Sequence, residues 1–287
     1  MHPLYCIEGT SNICTRETEG PEYNTSSTWP TFQEDWTKLK DAILHDVSNN
    51  NSKVYLRIFD GEFWFLKGQK VGNVGSRHCS QQLTPEFLKP FYDGFLKADI
   101  VATQLYAEEM EKYKSLFPQR PFDIPMELLY SLVSSRWIFQ QFPDSIALIG
   151  GNEKMTVIQE LMKYSEYRKY IGVKSFTDYI SVPERFACDN TDAVFDSIKD
   201  QIRSSRAKVF LFGIGISKLA FAYRFKEISS AQFIDVGCGI SALAGTTSVE
   251  RPYFGSWTNF RLRNWNYGAM DPIDFNDTAN RNIQYVS

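Results

Sequence analysis

The chain has 287 residues, 43% of them hydrophobic and 15% aromatic, enough for one large domain or two small ones with a real core. Thirty-one basic residues face 34 acidic ones, a net charge of −3, which argues against nucleic-acid binding because that needs a basic field. The five cysteines (Cys6, Cys14, Cys79, Cys188 and Cys238) include no C-x-x-C pair, which argues against a disulfide framework or a structural zinc site and for a reducing, cytoplasmic setting.

The first residues are neither basic nor apolar enough for a signal peptide, and no run approaches the ~20 apolar residues of a transmembrane segment. Residues 1–30, rich in Thr, Ser, Glu, Gly and Pro, read as an irregular arm. Thr31 and Glu34 form a capping-box pattern, and Phe32, Trp36, Leu39 and Ile43 follow at helical spacing. "KVYLRIF" is β-branched and aromatic and predicts a strand ending at Asp60. Thr84 caps a helix with Pro85 in its first position. Residues 125–142 read as helical and "SIALIGG" as a buried strand. The remaining chain alternates: helix "EKMTVIQELMKY", strand "YISVP", helix "TDAVFDSIKDQI", strand "KVFLFGIG", helix "SKLAFAYRFKEI", strand "QFIDVG". Alternation of this kind predicts a single Rossmann-like α/β domain with a mainly parallel sheet of about six strands, flanked by helices. The expected organisation is an arm over 1–30, the α/β domain over 31–256, and a C-terminal extension over 257–287 packed on the same domain.

Three stretches carry chemistry. In "LRIFDGEFWFL" a strand delivers Arg57 and then Asp60 to its carboxyl edge, Gly61 permits a sharp turn, and Glu62 follows. Residues two apart in extended chain point the same way, so Asp60 and Glu62 read as paired ligands for Mg²⁺ or Mn²⁺, held together with substrate phosphates. Arg57 can grip phosphate bidentately. The bland alternative is a turn in which the aspartate caps a helix and the glutamate pairs with arginine. In "GIGISK", Gly213 and Gly215 leave a strand and Lys218 opens a helix. That arrangement can face an anion, or it is a tight turn that binds nothing. In "FIDVGCGISALAG", Asp235, Gly237 and Gly239 end a strand in the manner of an S-adenosylmethionine site. However, the 42 residues after position 245 (287 − 245) show no strand–helix alternation to complete a methyltransferase sheet. The glycines still allow close backbone approach at a sheet's carboxyl edge, where ligands bind.

R-x-x-D-G-E closing a strand resembles the signature of the GT-D fold glycosyltransferases. The similarity continues through His78 ahead of a helix, the G-x-G-x-x-K turn at Gly213–Lys218, the D-x-G of Asp235–Gly237, and Arg251 in "SVERPYFGSW", over roughly residues 53–256. Cys238 departs from the histidine or serine found there in some members. The resemblance implies a GT-D-like fold and a transferase that takes a nucleotide-sugar donor, usually a UDP-sugar, and a glycan or glycoconjugate acceptor. Asp60, Glu62 and His78 would be catalytic. Asp60 and Glu62 would hold the metal. Arg57, Gly61, Gly213, Gly215, Lys218, Asp235, Gly237 and Arg251 would bind the nucleotide sugar. Negative charge growing on a diphosphate leaving group suits a cation and Arg or Lys. The acceptor hydroxyl needs a base, and His78 has the intrinsic pKa for it. Glu153 and Glu184 are further carboxylates expected near strand ends. A homodimer is entertained. The competing readings are a methyltransferase or other nucleotide-binding protein centred on residues 213–239, and a noncatalytic sugar-binding module.

Overall fold

The computed structural model describes residues 31–71, 77–104, 107–247, 254, 257–270 and 283–286. Seven strands build one sheet: β1 (Val54–Ile58), β2 (Ile100–Thr103), β3 (Ile124–Pro125), β4 (Ile146–Gly151), β5 (Tyr179–Val182), β6 (Val209–Gly213) and β7 (Gln232–Asp235). Their order is β3-β2-β1-β7-β6-β4-β5, and every pairing is parallel. All carboxyl ends therefore share one edge. The chain first builds outward from β1 to β3. It then crosses to β4 and β5 and returns through β6 to set β7 beside β1. That reversal opens a crevice at the carboxyl ends of β1, β7 and β6, the usual ligand position in open α/β sheets.

The strands read as apolar runs because helices cover both faces. In β6, Val209 and Leu211 pack into one buried cluster and Phe210 and Phe212 into the other. Helix α1 (Phe32–Ser48) lays Phe32, Trp36, Leu39 and Ile43 into the first cluster. Trp257, Phe260, Tyr267 and Val286 are buried there too, and β8 (Asn259–Leu262) pairs with β9 (Ile283–Val286) in a separate two-stranded sheet. Among the described residues no helix is long and apolar enough to cross a membrane.

Several local expectations need correction. The hydroxyl of Thr31 makes no cap; it donates to Asp35 at 2.8 Å, and Glu34 pairs instead with Lys38. Thr84 does cap its helix, accepting from the Phe87 N–H at 3.2 Å. The single helix expected over 125–142 is two, Met126–Ser134 and Trp137–Gln141, separated where Arg136 takes a left-handed φ of 63°. The arm over 1–30 lies outside the described residues.

Candidate active site

Arg57 leaves β1 beside Asp235 at the end of β7. Its backbone N–H donates to Asp235 Oδ2 and its Nε to Oδ1, each at 3.1 Å. Its Nη1 donates to the Tyr130 hydroxyl, and its guanidinium carbon lies 4.9 Å from the centre of that ring. The guanidinium can take this path only because residue 237 is glycine. A Cβ there would lie 1.9 Å from Arg57 Nη2, and the backbone has a φ of +43°.

Lys218 reaches the same carboxylate from the turn after β6. Its ammonium sits 2.6 Å from Asp235 Oδ2 and 2.6 Å from Glu62 Oε1, with the lysine side chain 1% exposed. Glu62 stands in the first turn of the helix Asp60–Leu66 and also accepts the Phe59 N–H at 3.2 Å, half of a capping box. The result is a buried, sign-alternating array: Arg57, Asp235, Lys218, Glu62. Burial pushes the Asp235 carboxyl up, but Arg57 and Lys218 outweigh it and hold the carboxyl below its ordinary range. For Arg57, burial works against the charge, and Asp235 with smaller contributions from Tyr130, Cys238 and Glu62 more than restores it, so its pKa is raised.

His78 approaches from the opposite lip. A Cβ on Gly215, where φ is +60°, would lie 2.7 Å from His78 Cε1, so the imidazole rests against the glycine turn. The main chain around it is pinned to residues 186–189. The Phe186 N–H donates to the Arg77 carbonyl at 2.7 Å, the Cys188 N–H to the His78 carbonyl at 3.2 Å, and the Ser80 N–H to Asp189 at 2.8 Å. Burial lowers the His78 pKa below its ordinary 6.5; Glu62 opposes this, and Arg77, Lys218 and Lys154 add to it. The shift favours the neutral ring, the form that can accept a proton. Alongside, Glu184 pairs with Arg77 at 3.3 Å and accepts the Glu153 N–H at 3.2 Å. Lys154 donates to Ser241 Oγ at 3.0 Å.

These groups enclose a cleft of about 260 Å³. Of the residues expected from sequence, Arg57, Glu62, His78, Gly213, Gly215, Lys218 and Gly237 line it; Asp60, Gly61 and Asp235 do not. Three expectations change. Asp60 and Glu62 do not sit in extended chain. They open a helix, where residues two apart face different sides, and Asp60 is exposed while Glu62 is tied to Lys218. Gly61 has no left-handed backbone and open space where a Cβ would be, so no sharp turn requires it. Lys218 and Asp235 neutralise each other within the buried array, so neither stands as an open ligand for phosphate. Arg251 lies outside the described residues. Arg77, Lys154 and Tyr130 were missed. Arg77 adjoins His78 and was within reach, but nothing local marks Tyr130 inside a helix buried throughout.

Counting Asp235 buried beneath, the site holds four cations (Arg57, Arg77, Lys154 and Lys218) against three carboxylates (Glu62, Glu184 and Asp235), an excess of one. Among the described residues no group of three or more His, Cys, Asp or Glu is placed to hold a metal ion. Neither glycine turn is an open cradle: the guanidinium of Arg57 fills one and the imidazole of His78 the other.

No family model matches the chain, and no curated protein does. Three solved structures are similar. A protein described as a new glycosyltransferase from Streptococcus sanguinis matches at 12% identity and a TM-score of 0.46, over 77% of this chain and 92% of its own. A domain of unknown function 1792, described as having a distinct glycosyltransferase fold, matches at 13% and 0.47, over 70% and 76%. A selenomethionine-substituted form of a domain of that class matches at 12% and 0.45, over 69% and 76%. At these identities and TM-scores the likeness carries no argument about chemistry.

Proposed function

We propose that this chain is a glycosyltransferase that moves a sugar from a nucleoside-diphosphate sugar, foremost a UDP-sugar, to a hydroxyl of a glycan or glycoconjugate. The observation that carries the reading is a cleft-lining imidazole set beside an excess of cationic side chains. In a direct displacement the acceptor oxygen bonds to the anomeric carbon as the bond from that carbon to the diphosphate oxygen breaks. His78 takes the hydroxyl proton, and the leaving diphosphate carries away the negative charge. Arg57, Arg77 and Lys154 face that charge from fixed positions, which lowers the barrier without reorganisation at the moment of reaction. The buried pairs beneath them keep Arg57 in place.

A divalent cation, Mn²⁺ or Mg²⁺, would shield the diphosphate as it departs. The residues as they stand fit it only in part: Asp60 stands outside the cleft lining, and Glu62 would join only on leaving Lys218. That the Gly237 turn is filled by the Arg57 guanidinium argues against an S-adenosylmethionine site there. Free Cys79, Cys188 and Cys238 support a reducing cytoplasm as its location.

The test is release of nucleoside diphosphate from a panel of UDP-, GDP- and dTDP-sugars, with Mn²⁺, with Mg²⁺ and with chelator. Release from at least one donor is expected. Release from none of them overturns the proposal.

A further inference from the structure

Phe186 is the one phenylalanine among the described residues with a left-handed backbone, at φ +57°. A bulky side chain there is a real outlier, of a kind that clusters at ligand clamps. The strain is held in place by its surroundings. The Phe186 N–H donates to the Arg77 carbonyl at 2.7 Å, its carbonyl accepts the Asp189 N–H at 3.0 Å, and Ala187 and Cys188 behind it are buried. Glycine would meet that backbone demand without strain. The chain instead carries a phenyl ring, and the residue is 39% exposed. An exposed apolar residue alone needs no explanation; one kept at a strained position in a loop whose neighbours line a cleft does. Pro183, Glu184 and Ala187 of the same loop line the cleft, and the Phe186 main chain is bonded to the residue before His78.

We propose that Phe186 is an acceptor-binding residue, whose ring takes the C–H face of the acceptor's sugar ring at the cleft mouth. The inference rests on the glycosyltransferase reading and deepens it. A pyranose presents an apolar C–H face beside its hydroxyls, and a flat aromatic surface is its natural counterpart. Fixing that ring on the loop that clamps Arg77 and His78 sets the acceptor hydroxyl in register with the base.

The test compares wild type, Phe186→Gly and Phe186→Trp on a panel of immobilised glycans, with UDP affinity measured by calorimetry. Glycine suits the left-handed backbone, so Phe186→Gly is expected to fold; Phe186→Asn, which also tolerates this conformation, replaces it if circular dichroism shows otherwise. Wild type and Phe186→Trp should bind at least one glycan. The glycine variant should bind it roughly tenfold more weakly, the scale of one lost aromatic contact, with UDP affinity the same in all three. Unchanged glycan binding by the glycine variant overturns the proposal. Loss of UDP rather than glycan affinity does so too, by assigning the ring to the donor's base, as does a wild type that binds no glycan. If wild type binds glycan but releases no nucleoside diphosphate from any donor, the transferase reading falls while the role of Phe186 is still decided.

Discussion

Replacing Lys218 with methionine keeps the stem volume and removes one charge from the buried array. Glu62 then loses its ion pair with Lys218, and Asp235, 1% exposed, keeps Arg57 and the backbone N–H groups of Arg57 and Gly237. Breaking a buried pair by removing one partner costs about 3–5 kcal/mol, and the donors left on Asp235 place this case near 3. At roughly 2–4 °C per kcal/mol for a domain somewhat smaller than this one, Tm should fall by roughly 6–12 °C. The loss should depend on pH. In the wild type the Asp235 carboxyl is held below its ordinary range, so its contribution is present above the unfolded pKa of about 3.9 and disappears as pH falls through the folded value. Without Lys218, burial acts against one cation instead of two, and protonation of Asp235 becomes easier. The deficit should therefore be largest at neutral pH and shrink as pH falls from 7.5 toward the unfolded carboxyl value, about pH 4. Denaturant titrations of both proteins at the two pH values measure this. A variant that melts like wild type, or that keeps its stability and loses UDP affinity, would refute the buried-array account and return Lys218 to the phosphate site.

Gly237→Ala should drive the guanidinium of Arg57 off its path, because the added Cβ falls 1.9 Å from Nη2; nucleotide affinity should drop by at least about tenfold with the fold retained, as read by calorimetry and circular dichroism. His78→Ala should leave UDP affinity near that of wild type while glycosyl transfer falls by ~100-fold or more, within the range for a lost general base. Because burial lowers the His78 pKa, the acid limb of the kcat/KM profile should lie below pH 6.5 and the rate should be flat above it; a limb above pH 7 would contradict the assignment. Asp60→Asn should cost little stability, since the residue is exposed, and should weaken activation by Mn²⁺; equal Mn²⁺ response in both proteins would make Asp60 structural.

Much of the sheet was legible because a parallel sheet covered on both faces forces apolar runs, and "VYLRI" and "IALIGG" are such runs. β2 and β3 were not: four and two residues carry too little pattern, and their pairing depends on neighbours far along the chain. Gly215 and Gly237 announced close approach, but what approaches is His78 and Arg57, a fact of tertiary structure. The D-x-E pair misled because period two was carried past the end of β1. The contrary signal was the pair itself: two acidic residues directly before an apolar stretch suit the first turn of a helix. Lys218 does line the cleft, yet its partners at positions 62 and 235 lie 156 and 17 residues away and gave its charge a different use.

The most direct measurement is a pair of calorimetric titrations of the whole protein, one with UDP in the presence of Mn²⁺ or Mg²⁺ and one with S-adenosylmethionine. The account predicts saturable binding of UDP, weakened in Arg57→Met, and no heat from S-adenosylmethionine, because the Gly237 turn is filled. Binding of S-adenosylmethionine, or UDP binding that Arg57→Met leaves untouched, would contradict it.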